Sequence, residues 1–483
     1  MPIRLPAPSE VRHIPVNAPV RHRADVLVAG GGPAGIAAAL AGARAGASVL
    51  LIESGGFLGG SATAAQVPAF CPFSDKKRAI VRGIGWEVLT EMLRRDGRPL
   101  PDPDDPAKAR MDWVPIFPET LKCVYDDLCE AAGVRVLFHT SVVSGQWSVV
   151  SEPDDTPNPL STDHYPLTTI STILLANKDG LTRAEASVFI DATGDGDLAA
   201  RAGCAFDEGD EHGETQGMTL CFTVAGGSRT RYLEYVNATG DGYLTQLIAH
   251  AKAAGDYDLP DASLVGMGFK TETVAGCNLG HVYGKRATDA ESLSEAERDG
   301  RRVVQKLLPF LRKYVPGQEG LFLVSTGPRI GVRESRRVVG DYRLTVDDYL
   351  SCRSFPDDIA RNAYFIDLHA ASSETAARAK SISDAENERA ARRHYELPPG
   401  ESHGIPLRCL LPRGVRNLLV AGRCLSADRA VQGAVRVMPV CFALGEAAGV
   451  TAALAARDTG GDVRSVDVVA VRARLRASGA YLP

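Results

Sequence analysis

Paired cysteines are missing. The 483-residue chain has ten cysteines but no C-x-x-C and no close Cys/His cluster. That excludes a zinc ribbon, an iron–sulfur centre and a redox disulfide, and no metal site is expected. Scattered single thiols fit a reducing cytoplasm and ordinarily serve as small apolar core residues. A strong charge bias is missing too. The net charge is −5, so neither nucleic acid nor an anionic membrane is an expected partner. Residues 1–22 contain no apolar run of the signal-peptide kind, and the longest apolar stretch, Pro439–Ala456, carries Glu446 and many small residues. It reads as a buried helix, not a membrane span. A cytoplasmic, non-membrane protein is expected, with self-association into a homo-oligomer left open. No internal repeat or low-complexity tract is found.

What is present begins at Ala24. The run Ala24–Ala29 reads as a buried strand, Gly30-Gly31-Gly32-Pro33-Ala34-Gly35 as a tight turn, and the alanine-rich stretch to Ala47 as a helix. A second apolar run, Ser48–Ile52, ends on Glu53. Strand, G-x-G-x-x-G turn, helix and an acid about 20 residues on form a complete dinucleotide fingerprint. Gly30 allows the turn, Gly32 admits a pyrophosphate, and Gly35 lets helix and strand approach. Pro33 and Ala34 open the helix whose N-terminal dipole favours phosphate, and Glu53 is placed for a ribose. The following loop, Ser54 to Thr63, holds Gly59, Gly60 and Ser61. With so little side-chain bulk it can lie against a flat ligand.

Further along, Gly83–Arg95 and Glu119–Ala132 read as amphipathic helices and Val134–Phe138 as a strand. Val142–Val150, Leu167–Ala176 and Ala184–Ile190 suggest a three-stranded antiparallel meander, turning at Lys178-Asp179-Gly180, with a polar connector over Glu152–Asp163. Val142, which opens it, is counted among the cofactor-binding positions. The last strand runs into Asp191-Ala192-Thr193-Gly194-Asp195. Residues 205–404 are more charged. They include a long helix expected over Ser294–Tyr314, capped by Ser294 with Glu297 three residues on, and mixed, polar stretches at Ala360–Leu368 and Asp384–Tyr395. Glycine-turn character returns at Asn417–Gly422-Arg423, followed by Arg436-Val437-Met438-Pro439 and a helix beginning near Val440.

The strand–A-T-G-D element, the late A-G-R, and R-V-M-P before a small-residue helix resemble FAD-dependent oxidoreductases of the glutathione-reductase-like fold. More narrowly they resemble the bacterial family often described as fumarate-reductase-flavoprotein-like. The resemblance runs from about Asp25 to Ala456. It also rests on Phe57-Leu58-Gly59-Gly60, Ile330–Arg337, Ile366-Asp367-Leu368-His369 and Ile405-Pro406-Leu407-Arg408.

The resemblance implies an α/β fold: a Rossmann-like FAD-binding domain (parallel sheet plus meander) with an inserted mixed α+β substrate domain. The expected division is an arm over 1–22, a discontinuous FAD domain over 23–204 and 405–483, and an insert over 205–404, with 71–118 available to the substrate side. Thr193, Gly194 and Asp195 would close over the cofactor's phosphate or ribitol side. Gly422, Arg423, Met438, Pro439 and Val440 would meet the flavin end. NAD(H) is the alternative cofactor. No second fingerprint is present, which disfavours the disulfide-reductase layout. The segment Ser61–Gln66 lacks the histidine that covalent attachment uses, so FAD is expected to be non-covalent.

The implied reaction is hydride transfer between flavin N5 and a small polar substrate, anionic if arginines clamp it. The electron donor or acceptor is undetermined. His369 is the expected acid/base, oriented by Asp367 two residues away on one strand face. Arg333 or Arg408 would be the clamp, and His403, in a loop, is a further catalytic candidate. Two other readings stay open: a non-redox flavoprotein catalysing elimination or isomerisation, and an FAD-binding electron-transfer subunit. One departure stands out, because Asp428-Arg429 occupy a place where the family commonly has a histidine.

Overall fold

In a computed structural model, residues 17–105, 108–109, 111–149, 167–264, 267–374 and 396–483 are described. The Glu152–Asp163 connector, the Asp384–Tyr395 stretch and most of the expected N-terminal arm lie outside them.

The main sheet takes its strands from both ends of the chain. They are β1 (Val20–Ala29), β2 (Val49–Ile52), β3 (Arg135–Leu137), β4 (Ser141–Val149), β5 (Thr168–Asn177), β6 (Gly180–Asp191) and β7 (Leu418–Val420). The order is β3-β2-β1-β6-β5-β4, with β7 also on β6. Strands β3, β2, β1, β6 and β7 run parallel, while β4, β5 and β6 form the antiparallel meander. The long β6 pairs with β5 along Gly180–Ala184 and with β7 along Phe189–Asp191. Register therefore brings the carboxyl ends of three strands together, since Ala29 and Val420 both face Asp191. In a doubly wound sheet the ligand crevice opens beyond such ends.

Two helices cover this edge, α1 (Pro33–Arg44) and α2 (Met438–Asp458). Their small residues matter because the backbones touch. A Cβ at Gly445 would lie 2.0 Å from Ala34 O, and one at Gly449 would lie 2.1 Å from Ala38 O. Helix α2 is the one helix, among the described residues, long and apolar enough to cross a membrane, and 94% of its apolar window is buried within the protein. It starts at Met438 rather than near Val440, because Pro439 suits the first helical turn.

A second core spans Met218–Ile330. It contains a four-stranded antiparallel sheet of Met267–Phe269, Val274–Cys277, Phe222–Ala225 and Phe322–Thr326, covered by the long helix Ala290–Tyr314. That helix begins earlier than expected. Asp289, not Ser294, caps it by accepting from Ser292 N, whereas Ser294 Oγ turns back to Ala290 O. Glu297 Oε1 instead accepts from Ile330 N. Residues expected as one insert divide between two cores. Leu344, Tyr349, Ile359 and Ile366 join the cluster built around α1 and α2.

Candidate active site

Between the cores lies a cavity of about 1110 Å³. Ordinary small-molecule sites occupy roughly 300–1,000 Å³, so this one has room for a large cofactor with a substrate beside it. Its walls include Gly30, Gly32, Pro33, Ala34, Glu53, Gly60, Ser61, Thr193, Gly194, Gly422, Arg423 and Met438. These are the loops that leave the carboxyl ends of β1, β2, β6 and β7.

The walls fit FAD. Helix α1 opens on Gly32 with no side-chain cap, and a Cβ there would meet nothing nearer than Gly60 Cα at 4.0 Å. Uncapped amides and open space suit a pyrophosphate. Gly35 is needed for packing, because a Cβ there would lie 1.7 Å from Gly30 O. Glu53 is buried, accepting from Gly31 N at 2.8 Å and Gly55 N at 2.6 Å, and its remaining lone pairs can take ribose hydroxyls. Arg329 donates to Ser54 Oγ at 3.0 Å over this end. At the other end α2 starts at Val437 and Met438, again without a side-chain cap. That positive helix end favours negative charge on a reduced flavin.

Several expected cofactor positions stand behind the wall instead of in it. Thr63 Oγ1 donates to Leu58 O, and Gly59 turns the loop at φ +116°. Asp195 faces Arg423 Nη2 at 2.5 Å and Ser335 Oγ at 2.7 Å, holding two loops together. Asp191 fastens the same turn, accepting from Thr193 N, Thr193 Oγ1 and Ala199 N. Pro439 and Val440 are buried in the first turn of α2. Val142, on β4, pairs with Leu175 of β5 and is not in the wall, whereas His139, just before β4, is.

The catalytic candidates separate into two groups. Arg333, Asp367 and His369 line the cavity. Arg333 is buried and donates to Gly217 O and Thr219 Oγ1, both at 2.8 Å, and to Asn278 Oδ1 at 3.1 Å. None of these partners is a carboxylate. Burial, reinforced by nearby Arg436, holds its pKa below the ordinary arginine value. Asp367 and His369 do not share a strand face, since the strand ends at Asn362. They still meet, His369 Nε2 lying 3.3 Å from Asp367 Oδ2 within irregular chain.

His403 and Arg408 are corrections. His403 is not in a loop but on the buried strand His403–Pro406, against Asn362 Nδ2, Gly404 O and the Tyr349 ring. Burial pushes its pKa down to about 4. Arg408 forms a bidentate pair with Asp357 at 2.9 and 3.0 Å and lies over Tyr342. Neither reaches the cavity, because strand pairing with Asp358–Asn362 turns this segment into the interior. Arg429 bonds Glu334, a buried carboxylate also held by Arg337, so the family departure at this position is a structural ion cluster.

Four wall residues were not among the expected site residues. His281 faces His369, Asp261 faces His281, Tyr364 donates to Asp367, and Arg436 donates to Asp367 O at 3.1 Å. Arg436 stood in the R-V-M-P motif, but nothing local to the others announces a site. Burial is the main force lowering the pKa of both rings, and Arg333 adds to it; His369 is pushed down to about 3. Cys71, also in the wall, is raised to about 12 by burial.

Among the comparisons with known proteins, the family match names the cofactor. No curated protein matches the chain significantly. Among solved structures, a geranylgeranyl bacteriochlorophyll reductase-like protein from Thermoplasma acidophilum is 10% identical, covering 95% of this chain and 92% of that one, with a TM-score of 0.42. An L-proline dehydrogenase from P. horikoshii is 10% identical, covering 95% and 100%, with a TM-score of 0.39. The OxyS anhydrotetracycline hydroxylase from Streptomyces rimosus is 13% identical, covering 94% and 68%, with a TM-score of 0.42. Likenesses this distant carry no argument about substrate. The family described as FAD dependent oxidoreductase matches over residues 25–475. The chain belongs to that family, and it is an FAD-dependent oxidoreductase enzyme.

Proposed function

We propose that the protein oxidises or reduces a small polar substrate bearing an anionic group, with His369 as acid/base and Arg333 as the anion holder. The carrying observation is the placement of His369, Asp367 and Arg333 in one cavity wall with Met438 and the start of α2. FAD bound there accepts or donates hydride at N5.

The residues divide the remaining work. His369 rests neutral, the proton-accepting form, and becomes a better base as negative charge builds beside it; Asp367 orients its ring through Nε2. Arg333 keeps its charge in a buried wall without a carboxylate partner, which suits a substrate carboxylate or oxyanion. The low-dielectric protein wall around these two side chains strengthens both interactions. Attachment of the cofactor is non-covalent in this reading. A thiol held near pKa 12, as at Cys71, is a poor nucleophile.

A panel of hydroxy acids, amino acids and enoates, mixed anaerobically with the holoenzyme, tests the assignment through loss or return of visible flavin absorbance. With any substrate found, His369→Gln should lower kcat by roughly 100-fold or more, the usual contribution of a general acid/base, and leave the bound-flavin spectrum unchanged. Turnover without any flavin reduction would favour elimination or isomerisation instead. Colour retained in an acid-precipitated pellet would overturn non-covalent binding.

A further inference from the structure

His369 is one link in a row of four side chains. Asp261 Oδ1 lies 2.5 Å from His281 Nδ1, His281 Nε2 lies 3.2 Å from His369 Nδ1, and His369 Nε2 lies 3.3 Å from Asp367 Oδ2. Each contact is a hydrogen bond only when one proton sits in it. A carboxylate brings none and a neutral imidazole brings one. Two ionised aspartates and two neutral histidines therefore supply two protons for three contacts. If the carboxylates receive both, two nitrogen lone pairs face each other between the rings. A third proton fills the row.

Electrostatics pulls the other way. Arg333 and Arg436 stand on this wall, and burial together with Arg333 favours neutral rings. Near Asp261 a third cation, Lys252, donates to Pro260 O, and the other groups facing the row are neutral or already engaged. Tyr283 stacks on His281 and donates to Asp261 Oδ1 at 3.2 Å, and Tyr364 donates to Asp367 Oδ2 at 3.3 Å. Cys71 stays a thiol, and Gln216 Oε1 accepts the backbone N–H of His369. Arg333 and Arg436, with Lys252 near Asp261, offset the two aspartates, so the row rests with two protons and one contact short. Negative charge entering the cavity tips it towards three.

We propose that Asp261, His281, His369 and Asp367 form a proton store that takes one proton into the His281–His369 contact during substrate oxidation. This deepens, and rests on, the assignment of His369 as acid/base. For a substrate H–C–X–H, the C–H hydrogen leaves with both bonding electrons to the bound cofactor, and C=X forms. The X–H proton enters at His369 and settles between the rings, and the row goes from two negative charges to one. Reduction of C=X runs the same path backwards. His281 and Asp261 are positioning residues that act through His369.

The test needs no substrate. Holoenzyme is reduced anaerobically with reduced methyl viologen, which carries electrons but no proton, in weakly buffered solution containing a pH indicator. Near pH 7 the unsubstituted protein should take up about one proton per FAD more than His281→Gln or Asp261→Asn. Nitrogen-15 NMR of histidine-labelled holoenzyme should show a scalar coupling between His281 Nε2 and His369 Nδ1 in the reduced state. Two variants guard against loss of folding in one, checked by circular dichroism. Equal uptake in a folded variant overturns the store, as do ring nitrogens that stay neutral in both redox states. Because neither readout involves turnover, a kcat insensitive to His369→Gln would refute only the acid/base assignment.

Discussion

Glu446 allows the most quantitative prediction. It sits two turns inside α2, 2% exposed, and accepts a single hydrogen bond, from Ile84 N to Oε2 at 3.0 Å. Its neighbour Gly83 leaves no spare room, since a Cβ there would lie 2.3 Å from Oε2. Burial raises the carboxyl from an ordinary 4.5 to about 7 against the weaker pull of Ile84 N and Arg44. A shift of that size corresponds to on the order of 3 kcal/mol. The sign follows from which state holds the proton. Between pH 4.5 and 7 the folded protein binds it and the unfolded chain does not. Its contribution is therefore complete below about 4.5 and is lost as pH rises through 7.

Glu446→Gln keeps an acceptor for Ile84 N and removes the ionisation. Chemical unfolding with FAD in fixed excess, followed by circular dichroism at pH 5 and pH 8, isolates the effect as the difference between variant and parent. Other titrating groups cancel in that difference. The variant should gain about 2.5 kcal/mol on the parent between pH 5 and pH 8, the part of the full shift that falls in that window. A constant difference would mean that Glu446 is ionised in the folded protein, and the reasoning would fail.

Other outcomes follow from the same geometry. Gly32→Val should leave the fold intact but abolish FAD retention, because its side chain would enter the open space at the start of α1; a yellow purified variant would refute the phosphate-loop assignment. Gly35→Ala should fail earlier, giving little folded protein on expression, because its Cβ would overlap Gly30 O. His403, lowered to about 4, contributes stability that is complete above 6.5 and lost as pH falls towards 4, about 3 kcal/mol in all. His403→Gln should flatten that acid loss in thermal melts and leave the flavin spectrum alone; a changed spectrum would return His403 to the cavity.

The family motifs were legible in order along the chain, but their spatial roles were not. Arg408 is the arginine of the I-P-x-R motif and His403 stands two residues before it, and the motif suggested a site. Pairing of His403–Pro406 with Asp358–Asn362 decided otherwise, since buried strand pairing sends alternate side chains into a core rather than a cavity. The Asp367–His369 contact was expected on a shared strand face, but it is made in irregular chain beyond the strand that ends at Asn362.

By itself the sequence determined the cofactor end. The turn at Gly30, the uncapped start of α1 and the acid at Glu53 depend on residues close together in the chain, so local stereochemistry and the helix dipole are enough to read them. Only the tertiary structure decided the chemical end. His281 and His369 are 88 residues apart, and Asp261, Arg333 and Arg436 come from three further segments. Their meeting depends on how the second core packs against the first, a property of side-chain volumes summed over hundreds of contacts that no local pattern records.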